Sequence, residues 1–227
     1  AIPREAAAVV LVEPAREAAL RAGVAALERD WRAALGAFDP GLAITLEPGA
    51  AARVIAAADA RAVIGLLVAG PHGVEAMSPD IPGLVQTSTN LAIVDADAAS
   101  ARAEVCFLTR SAIDASKHAL AARIAAVAAL AGFEARTSGG YPGWKPEPGS
   151  GMVELVNGVH QELFGKPMVV KAIHAGLECG LIGEKYPGME MASIGPSMWD
   201  AHTPDERVSI ASVAAFWRLL TATLEKA

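Results

Sequence analysis

The residues best able to do chemistry lie in the last third of the chain. His174-Ala-Gly-Leu-Glu-Cys-Gly180 gathers an imidazole, a carboxylate and a thiol in one glycine-flanked segment. Gly176 and Gly180 would let backbone approach a ligand closely, and Glu178 could take a cationic group. The same residues also read as a strand-to-helix turn in which Glu178 is favoured by the helix dipole. Both readings stay open. His202, in Ala201-His-Thr-Pro-Asp-Glu-Arg207, has the side chain most often used as a zinc ligand, with Asp205 and Glu206 near enough in sequence to orient it. The alternative is a histidine in a loop that caps the next helix. Arg110 sits where a hydrophobic run meets Ser111, an expected helix cap. It could clamp a carboxylate through two parallel hydrogen bonds or simply be a solvated arginine at a strand end. Asn90, in Thr87-Ser-Thr-Asn90, has the same two readings. His72, His118 and His160 have no partners at ligand spacing.

Such groups need a scaffold that delivers them to strand ends, where α/β sheets gather ligands. The pattern predicts a strand at 8–12, an amphipathic helix at 14–35 carrying Leu20, Val24, Leu27, Trp31 and Leu35, a strand at 42–46 and a helix at 49–68. Two strands at 84–94 and 102–108, joined through Asp95-Ala-Asp97, predict an antiparallel hairpin. A helix at 111–131 should end on Gly132 as a left-handed cap. Further on come a short strand at 133–137, a helix at 152–163, strands at 168–173 and 191–194 around a short helix near Leu177, a loop holding His202, and a helix at 209–224. The Gly/Pro-dense stretch 138–151 tolerates neither helix nor interior strand, and the domain boundary is placed there. The fold class expected is mixed: an α+β lobe with an antiparallel sheet, followed by an α/β segment.

With 227 residues and a hydrophobic share of 53% against 19% charged, the chain can bury a core and is not of disordered type. A net charge of −6 provides no basic footprint for nucleic acid or an anionic membrane. No apolar run reaches the roughly 20 residues of a membrane span. Cys106 and Cys179 form no CxxC pair, which points to neither a disulfide framework nor a cysteine zinc site and suits the cytoplasm. The first residues have neither an initiator Met nor signal-peptide character, so the chain is expected to start inside a domain.

Taken together, Ala1-Ile-Pro-Arg-Glu-Ala6, Thr87-Ser-Thr-Asn90, Leu108-Thr-Arg-Ser-Ala-Ile-Asp114, Gly140-Tyr-Pro-Gly-Trp144, Ile173-His-Ala-Gly-Leu-Glu-Cys-Gly180, Ser193-Ile-Gly-Pro196 and His202-Thr-Pro-Asp-Glu-Arg-Val208 resemble the carboxy-terminal half of the aminoacyl-histidine dipeptidases. These zinc peptidases belong to the aminoacylase and carboxypeptidase clan. The resemblance implies a lid domain, its later part at 1–143, and the closing segment of a catalytic domain at 144–227. It implies that His202 is one zinc ligand, that Arg110, Glu178, His174 and Asn90 face a dipeptide, and that the lid forms a homodimer. In this family two zinc ions activate water against dipeptides ending in histidine, carnosine included. The other metal ligands and the glutamate base belong to a portion absent from this chain, so the chain alone is expected to be inactive. The alternative is a non-catalytic binding or dimerisation module built on the lid.

Overall fold

A computed structural model describes residues 3–145, 147, 149–174, 177–201 and 203–227. These residues fall into two compact units, one of residues 1–67 with 92–106, the other of 68–91 with 107–227. The division expected near residue 143 lies inside the second unit.

The first unit opens with extended chain and a 3-10 turn, Pro14–Arg16, that leads into α1 (Glu17–Leu35). Glu17 with Arg21 and Glu28 with Arg32 pair at helical four-residue spacing along α1. No α1 residue is buried, and Leu27, Trp31 and Leu35 of the predicted stripe are exposed. The helix expected at 49–68 is shorter: α2 spans Ala57–Ala69 and buries Val63 and Leu66.

Strands β1 (Gly73–Met77), β2 (Val85–Asp97) and β3 (Arg102–Ser111) lie in the order β1-β2-β3, with β1 antiparallel to β2. This sheet contributes β1, the start of β2 and the end of β3 to the second unit, and residues 92–106 of its hairpin to the first. The hydroxyls of Thr87 and Ser111 lie 2.8 Å apart and those of Thr89 and Thr109 2.9 Å, while Ala112 N–H donates to the Gln86 carbonyl at 3.0 Å. Each step forward on β2 is matched by a step back on β3, so this pair is the antiparallel hairpin predicted. At its turn the Asp97 carboxylate accepts from the backbone N–H groups of Ala99 and Ser100, which holds its carboxyl below the usual range. Thr87 and Thr89 are fully buried, and Thr87 lines a recess with Ala76, Ser116, Ala119, Leu120 and Arg123. That face of the sheet is therefore covered by α3 (Asp114–Leu130).

The α3 N-terminus corrects one expectation. Ser111 ends β3 and its hydroxyl accepts from Ile113 N–H at 3.0 Å, so it does not cap α3. The opposite end is as expected: Gly132 is left-handed at φ 79°, and Phe133 N–H returns to the Ala128 carbonyl.

A helical layer completes the unit. In α4 (Gly151–Phe164) the Ser150 hydroxyl accepts from Val153 N–H, and in α6 (Ile210–Leu224) Ser209 does the same for Ser212. Val156, Val159 and Leu219 form the core between them, with Met168, Ala192 and Ile194 packed alongside. Between these helices lie the short α5 (Glu178–Lys185) and a two-residue ribbon of β4 (Met198–Trp199) with β5 (Arg207–Val208).

The strands predicted at 8–12, 42–46, 133–137, 168–173 and 191–194 are irregular. Apolar runs specify burial, whereas a strand also needs a hydrogen-bonded neighbour, and none of these runs pairs with another. Val9, Leu11, Val169 and Ile173 are exposed as a result.

Candidate functional site

The β2–β3 register determines which side chains share a face. With Thr87 opposite Ser111 and Thr89 opposite Thr109 on the covered face, the pleat sends Ser88, Asn90 and Arg110 to the other one. Ser88 and Arg110 stand directly across from each other, and Asn90 follows Ser88 by one pleat.

His174 comes to this face from the segment before α5. Its Nε2 lies 2.7 Å from the Ser88 hydroxyl. Burial of the ring, and next the Arg110 guanidinium, push the His174 pKa below its ordinary value, while contact with the Val85 backbone acts weakly the other way. The imidazole is thus held neutral beside a permanent cation. Arg110 and Asn90 are both half-buried. Among the described residues neither side chain has a hydrogen-bond or ion-pair partner. A guanidinium placed this way presents an unfilled fork of donors that matches a carboxylate.

Glu178 is placed differently. It is the first residue of α5, exposed, and makes no ion pair with Arg110 or with any other described residue. Its position at a helix start is the one the helix dipole favours. Burial raises the pKa of the neighbouring Cys179 thiol, and Glu178 adds to the shift. Both cysteines are free.

The glycine of this segment that can be described serves packing. A Cβ on Gly180 would stand 2.7 Å from the Pro142 carbonyl oxygen, and one on Gly143 would stand 2.4 Å from that of Ala112. The Tyr141–Trp144 loop therefore presses against both the end of β3 and α5, and Gly180 is spent on that contact rather than on a ligand. The loop is fastened by Asp114, whose carboxylate accepts from Gly143 N–H at 2.9 Å and from Lys117 Nζ at 2.6 Å. These bonds, led by that from Lys117, lower the Asp114 pKa.

His202 and Gly176 lie outside the described residues. The loop around His202 is closed by β4 and β5, with Arg207 paired to Asp200 at 3.2 Å. The cap of the following helix is Ser209, whose hydroxyl accepts from Ser212 N–H. Among the described residues no three His, Cys, Asp or Glu side chains lie close enough to hold a metal ion. Sequence reasoning singled out Arg110, His174 and Asn90 but missed Ser88. The signal was available in the alternation of Thr87-Ser-Thr-Asn90, which on a strand splits the four residues between two faces.

No family model matches the chain. It is 37% identical over its whole length to the cytosol non-specific dipeptidase of Escherichia coli (strain K12), and covers 46% of that protein. Its fold matches the crystal structure of aminoacylhistidine dipeptidase from Vibrio alginolyticus with a TM-score of 0.79 and 34% identity, over 93% of this chain and 43% of that one. Aminopeptidase PepT from Bacillus cereus ATCC 10987 matches in fold, with a TM-score of 0.57 at 17% identity, over 74% of this chain and 44% of that one. The chain spans less than half the length of each. In sequence over its whole length and in fold over most of it, the chain is similar to a part of the dipeptidases, the resemblance that its motifs imply.

Proposed function

We propose that this chain is a segment of a cytosolic, metal-dependent dipeptidase and that it supplies the site for the dipeptide's terminal carboxylate. The observation that carries this reading is the half-buried Arg110, without a partner among the described residues, beside Asn90 and a neutral His174. A single uncompensated guanidinium flanked by neutral hydrogen-bonding groups selects one negative charge. Glu178 is assigned to the dipeptide's amino group, and dipeptides ending in histidine, carnosine among them, are the proposed substrates. Support comes from the similarity to the cytosol non-specific dipeptidase and to aminoacylhistidine dipeptidase; among the described residues no helix is long and apolar enough to cross a membrane.

The resemblance also implies zinc, with His202 as one ligand, and a homodimer formed through the lid at 1–143. The described residues hold no cluster that fits a metal ion. The remaining ligands and the general base are assigned to the portion of the enzyme that this chain lacks, and hydrolysis is assigned to the longer enzyme. Calorimetric titration of the 227-residue chain with a free dipeptide, its carboxyl amide and its N-acetyl form tests the assignment. The amide should lose most of the binding and the N-acetyl form a smaller part; equal affinity for the free dipeptide and its amide would overturn the Arg110 role.

A further inference from the structure

We propose that Ser88 is a positioning residue for His174, its hydroxyl holding the imidazole in one orientation and one tautomer beside Arg110. The proposal deepens the assignment of Arg110 as a carboxylate site, and its consequence for binding rests on that assignment.

Three placements carry it. Ser88 lies on β2, the central strand, whose backbone is fixed by neighbours on both sides, so its hydroxyl has only the side-chain rotation left to settle. His174 belongs to a segment with no ladder or helix to hold it. The 2.7 Å bond between Ser88 Oγ and His174 Nε2 ties the ring to the sheet. Finally, the register sets Ser88 directly across from Arg110, so a ring held by Ser88 stands next to the guanidinium.

One direction of this bond goes with one tautomer. A half-buried ring beside an arginine stays neutral and carries one N–H. Of the two directions open to the 2.7 Å bond, the one proposed has the Ser88 O–H as donor to a bare Nε2. His174 is then the Nδ1–H form, with Nε2 occupied inside the protein. Such a ring neither competes with Arg110 for an anion nor swings into its path. Without the Ser88 hydroxyl, the ring is free to rotate and to take the Nε2–H form that free imidazole prefers.

Long-range proton–nitrogen correlation spectra of the nitrogen-15-labelled 227-residue chain read the tautomer directly. Wild type should show His174 protonated at Nδ1 and bare at Nε2. In Ser88→Ala the ring should move toward the Nε2–H form, and the dissociation constant for unlabelled alanyl-histidine should rise about 3- to 10-fold, as loss of one ordinary hydrogen bond implies. Ser88→Thr should restore both. Ser88→Cys, similar in size but a poor donor, replaces the alanine variant if that variant does not fold. A wild-type ring in the Nε2–H form, or a tautomer unchanged in Ser88→Ala, overturns the proposal. If wild type binds no dipeptide, the carboxylate assignment fails while the tautomer still decides the role of Ser88.

Discussion

Gly143 has no room for a Cβ against the backbone of Ser111 and Ala112, and backbone cannot step aside as a flexible side chain can. Gly143→Ala should therefore destabilise the chain by about 3 kcal/mol, the upper range for overpacking, read as a shift in the denaturation midpoint at unchanged slope. A loss below ~0.5 kcal/mol would mean that the Tyr141–Trp144 loop is not pressed against β3. His174 supplies a second test, in pH. Its folded pKa lies below its unfolded value near 6.5, chiefly through burial and then through Arg110. As pH falls through 6.5 the unfolded chain takes up the proton first, so stability falls until the folded ring also protonates. His174→Gln should remove that part of the stability–pH slope. An unchanged slope would place the ring in water.

Two facing elements show what was legible in the sequence. The hairpin of β2 and β3 was, because its turn residues and alternation are local signals; so was α1, from its apolar spacing. The five predicted strands that lie irregular were not, since an apolar run says nothing about whether a neighbouring strand is present to pair with it. Ser88 escaped notice for a related reason: its importance comes from a register with β3 and a contact 86 positions away. Buried hydroxyl pairs test the register itself. Thr89→Val should cost about 1–3 kcal/mol by stranding the Thr109 hydroxyl, whereas Thr89→Val with Thr109→Val should recover most of that loss, because no unsatisfied group remains. Additive losses in the double variant would show that the two hydroxyls are not paired. At the start of α3, Asp114 contributes stability above its unfolded pKa of about 3.8 that is lost as pH falls through its lowered folded value. Asp114→Asn should flatten the acid limb of unfolding, and an acid limb identical to wild type would contradict the fastening role of this carboxylate.

Across the whole molecule, apolar surface remains uncovered on α1 and on the unpaired segments near 9–11 and 169–173. Surface of that kind drives association, so sedimentation should show species larger than the monomer at micromolar concentration, and a clean monomer throughout that range would count against it. The proposed function rests on one partially buried guanidinium on the open face of the sheet as the site for a dipeptide's carboxylate. A binding cycle of wild type and Arg110→Ala against a free dipeptide and its carboxyl amide decides it. Removal of a charge partner from a desolvated pair costs on the order of 2–5 kcal/mol, so the free dipeptide should lose at least about 30-fold in affinity on Arg110→Ala. The amide, already without the charge, should lose little. If both ligands lose affinity equally, Arg110 is not the carboxylate site.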